Sequence, residues 1–273
     1  MKMAQTSIWV STLATIFLLT SISTQSHAHR AWMLPSATVL SGENAWVTVD
    51  GAISNSLFYF EHHALNLDNL RIVSPTGKSV EAQNKATAKY RSIFDVELTE
   101  DGTYTLGIES NTLYARYTLD GEAKRWRGSQ ADLATLPKGA ADISVSEAVR
   151  RMQVFVTKGA PSNVNQTLVG DGIEMQPITH PNDLFVGEAA EFKFMLDGKK
   201  ATGLTVTLIR DGIRYRDQVN EQVYTTNDNG EVNLNFTQPG MYWLEVETEQ
   251  KSTKKDIDKR FLSYSATLEV LPL

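Results

Sequence analysis

Histidine is the residue type in this sequence that is best suited to metal chemistry. The chain has five histidines and no cysteine, so imidazole is the expected donor to a late transition-metal ion. Glu61-His62-His63 sets two imidazoles beside a carboxylate, and both could reach one ion only in a loop, because adjacent side chains of a strand point to opposite faces. His180 precedes Pro181, which favours extended backbone there. Each could instead be a hydrogen-bonded surface histidine, and His180 could cap a turn between two domains.

The first 28 residues have the pattern of a secretory signal. Lys2 gives a positive start, residues 8–19 are uncharged and mostly apolar, and Ser26-His27-Ala28 puts small residues at the two positions that a signal peptidase reads. The apolar stretch is shorter than the roughly 20 residues needed to span a bilayer. We therefore predict a signal peptide at residues 1–28, cleavage after Ala28, and an exported mature chain without a transmembrane segment.

Cleavage after Ala28 would make His29 the first residue of the mature chain. The free α-amine and the imidazole Nδ1 of a terminal histidine form a small chelate ring, which suits nickel and copper because both favour nitrogen ligands. Alternatively, His29 could simply follow a permissive cleavage site. The candidate metal ligands are therefore His29, His62, His63 and His180.

Composition and motifs exclude several classes of function. A net charge of −6 argues against a broad basic surface, so nucleic acid is not an expected partner. The lack of cysteine excludes disulfides, thiolate zinc sites and iron–sulfur clusters. The sequence has no Gly-x-Ser-x-Gly elbow, phosphate-binding glycine loop or dinucleotide fingerprint. We expect a binding protein and no enzymatic activity; a copper oxygenase built on a terminal histidine is the enzymatic alternative.

Alternating apolar residues predict that most of the mature chain is β-strand. Phe192, Phe194 and Leu196 alternate with polar residues in one such run, and Asp-Gly or Asn-Gly turns separate the runs. Residues 142–151 form the one helix candidate.

The sequence also predicts whether several aromatic and charged residues are buried or exposed to solvent. Trp46 and Trp243 lie in alternating strands and are expected to pack in the core. The cationic segment around Trp126 is expected to be irregular, either a solvated loop or a contact for an anionic ligand or a partner. Residues 251–260 mix both charges and predict a solvated hairpin loop.

The chain also contains a faint internal repeat. Asp101-Gly102-Thr103-Tyr104 matches Pro239-Gly240-Met241-Tyr242, and a second pair of similar segments lies upstream of each. A Gly-x-Tyr run at the start of a late strand is typical of the tyrosine corner of immunoglobulin-like sandwiches. We therefore predict an all-β fold of two tandem immunoglobulin-like β-sandwich domains, at 29–160 and 172–273, joined within the Gly-, Pro- and Asn-rich stretch 158–172.

Several stretches resemble a bacterial exported family. The start His29-Arg30-Ala31-Trp32-Met33-Leu34-Pro35 is similar to that family's His-x-x-Trp-Leu-x-Pro opening, and segments 179–188, 210–217 and 264–272 are similar to its later motifs. Over essentially the whole mature chain the sequence thus resembles the NikM-like periplasmic family, also called domain of unknown function 4198. Its second half also looks like a carboxypeptidase-regulatory-like module.

The resemblance implies a periplasmic location and an association with nickel uptake or, more loosely, with the uptake of other metals. It places His29 and His180 inside family motifs. Arg30 stands where the family often has a small or acidic residue, and a cation there opposes a bound ion unless its side chain points away.

These observations predict a periplasmic accessory protein for metal uptake. It would bind a transition-metal ion, nickel or alternatively copper or iron, and pass the ion to an envelope transporter or receptor. The alternative is a non-catalytic β-sandwich scaffold or adhesive module that docks an envelope protein or a glycan.

Overall fold

The computed structural model describes residues 29–164 and 167–273, so the predicted signal peptide, residues 1–28, lies outside the described residues. The described part consists mainly of β-strands, with two short 3-10 helices at Leu133–Thr135 and Ile213–Tyr215. The predicted all-β fold is therefore confirmed. No helix in these two ranges is both long enough and apolar enough to cross a membrane.

Strands in the described residues alternate with short turns. The first half contains β1 (Arg30–Pro35), β2 (Val39–Leu40), β3 (Trp46–Ser54), β4 (His63–Ala64), β5 (Leu70–Val73), β6 (Ser79–Val80), β7 (Gln83–Thr87), β8 (Ser92–Glu97), β9 (Gly102–Leu119), β10 (Glu122–Gly128) and β11 (Ala141–Lys158). The second half contains β12 (Ile173–Pro177), β13 (Ala189–Leu196), β14 (Lys199–Lys200), β15 (Thr205–Arg210), β16 (Gln222–Thr225), β17 (Glu231–Asn235), β18 (Gly240–Lys251) and β19 (Lys259–Val270).

These strands form three sheets within the described ranges. The N-terminal sheet has the order β1-β3-β8-β7, with β4 also on β3, and the C-terminal sheet has the order β12-β13-β14, with β17 also on β13. The ten-stranded central sheet has the order β16-β15-β18-β19-β11-β9-β5-β6, with β10 on β9 and β2 on β11. It is continuous across both halves of the chain because β11 pairs in parallel with β19, from Ser146↔Lys259 to Val154↔Thr267.

The N-terminal and C-terminal sheets cover opposite faces of the central sheet. Val154 of β11 packs in one core with Val49 of the N-terminal sheet. The next residue, Phe155, packs in a second core with Phe192 of the C-terminal sheet. Side chains alternate in direction along a strand, so β11 contributes to both sandwiches. The domain limits 29–160 and 172–273 stay a prediction, to which the structure adds a sheet shared by both halves.

The internal repeat has a structural counterpart in each half. Gly102 and Gly240 begin β9 and β18 with φ of 120° and 135°, a region that favours glycine. Two residues on, the Tyr104 hydroxyl accepts a hydrogen bond at 2.7 Å from the backbone amide four residues earlier. The Tyr242 hydroxyl donates at 2.8 Å to the carbonyl four residues earlier. The predicted tyrosine corners are confirmed.

A small apolar cluster holds β1 against the central sheet. It joins Trp32 and Leu57 of the first half to Ile209 and Trp243 of the second. The Trp243 indole also donates a hydrogen bond at 3.1 Å to the Ala31 carbonyl. The position of the start of β1, next to His29, is thereby fixed by contacts between the halves.

Three predictions of local structure were wrong. Residues 142–151 are strand rather than helix, because β11 is paired with β9 on one edge and β19 on the other; this long-range pairing overrides local propensity. The segment around Trp126 is β10, paired with β9. Trp243 is buried as predicted, but Trp46 is 40% exposed. Residues 251–260 do span the β18–β19 hairpin, although Arg260 at its end is buried.

Candidate functional site

A groove of about 450 Å³ lies on the central sheet beside the start of β1. Strands β9, β11, β18 and β19 form its floor, and the start of β1 and the segment before β5 form its walls. His29 lines the groove, together with Arg150 and Glu245 from the floor. The groove is therefore built by residues from distant parts of the sequence, between positions 29 and 265.

Three of the four predicted histidines meet beside this groove. The rings of His29 and His62 are stacked, with centroids 3.6 Å apart and planes 9° from parallel. The His63 ring lies 4.3 Å from that of His62 at 50°. Strand β3 brings them together, since it pairs with β1 at Arg30↔Ser54 and with β4 at Ile53↔His63. We call these three residues the histidine cluster.

The histidine cluster has the donors for a metal ion but not the arrangement of a metal centre. The lone pairs of an imidazole lie in the ring plane, so two stacked rings direct them along parallel planes rather than at one point. Accordingly, residues 29–164 and 167–273 contain no group of three His, Asp or Glu side chains placed to hold an ion. His29 and His63 are exposed, and exposed side chains change rotamer within nanoseconds.

The surroundings of His62 favour its neutral ring. Partial desolvation lowers the pKa of His62 below its usual value, and the neighbouring His29 and His63 lower it further. A metal ion needs the unprotonated imidazole. Ring contact thus keeps His62 available as a ligand at a lower pH than an isolated histidine.

Arg30 does not leave an unbalanced charge beside His29. Its guanidinium lies 5.5 Å from the centre of the Trp243 ring and 4.0 Å from the Glu221 carboxylate. The side chain is 15% exposed. The Arg30 cation thus has an aromatic ring and a carboxylate of the second half as partners, although it lines the same groove as His29.

The structure does not place His180 with the other three histidines. Its Nδ1 accepts a hydrogen bond from the Asn182 amide at 3.1 Å, so Nε2 carries the proton and donates to Thr103 Oγ1 at 2.9 Å. Thr103 lies five residues along β9 from Ile108 in the groove floor, about 17 Å at roughly 3.3 Å per residue. Burial lowers the pKa of His180. It acts here as a turn-capping residue between the halves, the alternative that the sequence left open.

Two groove residues, Arg150 and Glu245, were missed by the sequence analysis. Glu245 alternates with apolar residues, a pattern typical of a half-solvated strand, and Arg150 lies in the stretch 142–151 that was predicted as helix. Burial, with a smaller contribution from the nearby Glu247, raises the pKa of Glu245 to about 7 against the opposing effect of Arg30 and Arg150. No local signal marks either residue, because the walls that enclose them come from distant segments.

Solved structures share only a distant likeness with this chain. A DUF4785 family protein of Legionella pneumophila is 9% identical with a TM-score of 0.24, over 79% of this chain and 50% of its own. The D0-D1 domain of intimin is 11% identical with a TM-score of 0.22, over 87% and 97%. The human OSCAR ligand-binding domain is 11% identical with a TM-score of 0.21, over 89% and 99%. This chain thus spans half the length of the Legionella protein.

Sequence comparison is informative at the level of the family. No curated protein matches the chain. Residues 26–250, which include the histidine cluster and most of the groove floor, match the profile of a domain of unknown function. The chain belongs to the DUF4198 family.

Proposed function

We propose that this chain is an exported, periplasmic protein that binds a transition-metal ion and passes it to an uptake system of the cell envelope. Nickel is the first candidate, and copper and iron are the alternatives. The ion is cargo, so the proposed role is capture and transfer without chemical conversion of a substrate. The nickel association rests on the resemblance to NikM-like proteins, and the periplasmic location rests on that resemblance and on the signal pattern of residues 1–28.

The observation that carries the proposal is the contact among His29, His62 and His63 at the edge of a groove. Imidazole nitrogens suit nickel and copper, and the lowered pKa of His62 favours the unprotonated ring that a metal ion needs. Cleavage after Ala28 would add the α-amine of His29 to this set. An ion would then be held by His29 and by His62 or His63 after rotation of these side chains.

Isothermal titration with nickel chloride tests the site on the mature protein beginning at His29. Replacement of a ligand commonly costs a site much of its affinity, so we expect H62A and H29A to bind nickel at least about tenfold more weakly. H180Q is the matched control, because it removes a histidine outside the histidine cluster. Equal affinities for H62A and H180Q, or no binding by the unmodified protein, would overturn the site.

The amine is tested by a one-residue extension. A mature chain that keeps Ala28 retains every imidazole but moves the free amine away from the His29 ring. We expect weaker nickel binding than for the chain beginning at His29, and native mass spectrometry of the exported protein reports both its first residue and its bound metal. If the exported protein starts at another residue, the amine has no part in the site.

A scaffold role is the second candidate, and exposed apolar residues of the second half favour it. Strand β16 is an edge of the central sheet, and Val223 on it is 60% exposed. Tyr215 nearby in sequence is 80% exposed. An open sheet edge can accept a strand from a partner. Capture of the same envelope protein by the unmodified chain and by H62A, with chelator present, would favour this role over metal transfer.

A further inference from the structure

We propose that the groove binds a small di- or tricarboxylate, so that the metal ion arrives at the histidine cluster as a carboxylate chelate rather than as a free ion. The metal part of this inference rests on the proposed function. The carboxylate part rests on the groove alone.

Arg150 provides the expected contact for a carboxylate. It lies on the floor of the groove, and its cross-strand neighbours are Ser110 of β9 and Ser263 of β19. These three residues form one row across adjacent strands, so their side chains leave the same face of the sheet. A guanidinium can bind a carboxylate through two parallel hydrogen bonds, and flanking hydroxyls can donate to its remaining lone pairs.

The donors of this row are not engaged elsewhere in the described part of the chain. Among the ion pairs and hydrogen bonds of the described residues, none involves the Arg150 guanidinium or either serine hydroxyl. Glu247 of β18 continues the row beyond Ser263, and Glu245 in the next row interacts with Arg150 electrostatically. The adjacent Arg151, which points to the other face, is by contrast paired with Glu109 at 3.0 Å and Glu174 at 2.9 Å. The polar groups of the floor are therefore free to bind a ligand.

The size and lining of the groove fit a small organic acid. A volume of about 450 Å³ lies in the range of roughly 300–1,000 Å³ typical of small-molecule sites. Ile108 and Met152 form an apolar row next to Arg150 and can contact the carbon skeleton. Glu245 follows in that row beyond Ser265 and, at a pKa of about 7, is partly protonated at neutral pH, so it can donate to a second carboxylate.

The charges that line the groove favour a metal chelate over a free metal ion. Four arginines line the groove, Arg30, Arg127, Arg150 and Arg151, against two acids, Asp68 and Glu245. A free divalent cation in the groove would therefore meet more positive than negative charge, and like charges repel. A metal ion carried by a tricarboxylate has a neutral or negative overall charge. Its carboxylates can contact Arg150 while the metal lies towards His29, because both residues line the same groove.

The first experiment measures citrate alone, without metal, by isothermal titration of the mature protein. We expect binding by the unmodified protein and a loss of about tenfold or more in R150Q, because charge-assisted hydrogen bonds are lost. R125Q is the matched control, since Arg125 is an exposed arginine of β10 outside the groove. Absence of citrate binding, or equal affinities for R150Q and R125Q, would overturn the carboxylate site whatever nickel does.

The second experiment loads the protein with nickel and adds excess citrate. Citrate should strip a free-ion site, whereas a site for the chelate should keep its nickel. We expect retention by the unmodified protein and by R125Q but loss of nickel from R150Q. Stripping of all three would overturn chelate delivery. Citrate binding that needs Arg150 in a protein that binds no nickel at all would support the carboxylate site and overturn the proposed function.

Discussion

Two arginines of the central sheet, Arg260 of β19 and Arg150 of β11, have opposite surroundings. Arg260 is 5% exposed. Its guanidinium donates to Glu147 at 2.7 Å, to Asp171 at 2.7 Å and to Asp197 at 2.6 Å. These carboxylates come from β11, from the connection before β12 and from the end of β13. Arg260 thus joins the shared sheet to both sides of the link between the halves.

Arg150 stands one strand away and has none of these partners. It is exposed, and serines rather than carboxylates flank it. The contrast separates two uses of the same side chain. An arginine whose donors are all satisfied within the protein contributes to the stability of the fold, whereas one with free donors in a groove is available for a ligand.

The largest expected effect is a difference in the free energy of unfolding between two variants, in which Arg260 or Arg150 is replaced by glutamine. R260Q leaves Glu147, which is 3% exposed, with Lys254 and Asn111 as its remaining partners, and breaking a buried ion pair costs about 3–5 kcal/mol. R150Q should change the free energy of unfolding by less than about 0.5 kcal/mol, as is usual for a surface substitution. Urea unfolding at pH 7 measures both, and equal losses would remove the distinction between the two sites.

The next effect concerns Glu245, the half-buried acid on the floor of the groove. Its pKa is about 7 in the folded protein against an ordinary value near 4.5, so the folded state binds the extra proton between these values. Its contribution to stability is therefore complete below about pH 4.5 and is lost as the pH rises through about 7. The full loss is at most about 3.5 kcal/mol, at roughly 1.4 kcal/mol per pH unit.

E245Q removes this titration. We expect the variant to match the unmodified protein near pH 5 and to be more stable at pH 8, with a flatter dependence between. Urea unfolding at four pH values from 5 to 8 measures the difference, in which the other titrating groups cancel. Superimposable pH profiles would show that Glu245 is solvated, and would weaken the case for an enclosed groove.

The strands and the tyrosine corners could be predicted from the sequence because both depend on local patterns. Alternation identified β13, and the two Gly-x-Tyr segments identified the corners at Tyr104 and Tyr242. The stretch 142–151 could not be predicted, since β11 is a strand only through its pairing with β9 and β19. The local sequence pattern indicates which face of a strand is apolar, but it does not indicate which strands pair with it.

Some residues of the candidate site could likewise be predicted from the sequence, and others could not. His62 and His63 are adjacent in sequence, and His29 was selected by the expected cleavage, so three members of the site were proposed without a structure. Their contact depends on where β3 ends, which the sequence did not reveal. Arg150 and Glu245 could not be predicted, because a charged residue on a polar strand face gives no sign that a distant segment encloses it.

The smallest expected effect extends the comparison to hydroxyls, with Thr103 and Thr112 of β9 as a matched pair. Thr103 is fully buried, and its Oγ1 contacts Thr157 Oγ1 at 2.9 Å, His180 Nε2 at 2.9 Å and the Ser162 amide at 3.2 Å. T103V keeps the shape but leaves these groups without that partner, which costs about 1–3 kcal/mol.

Thr112 lines the groove, and its hydroxyl makes no side-chain hydrogen bond within the described residues, so T112V should cost less than about 0.5 kcal/mol. Urea unfolding of both variants measures the difference. If T103V were as mild as T112V, satisfied hydrogen bonds would not be what stabilises the joint between the halves. The lack of hydrogen-bond partners would then no longer distinguish donors that bind a ligand from donors that stabilise the fold. It would also no longer be a reason to propose Arg150 as the contact for a carboxylate.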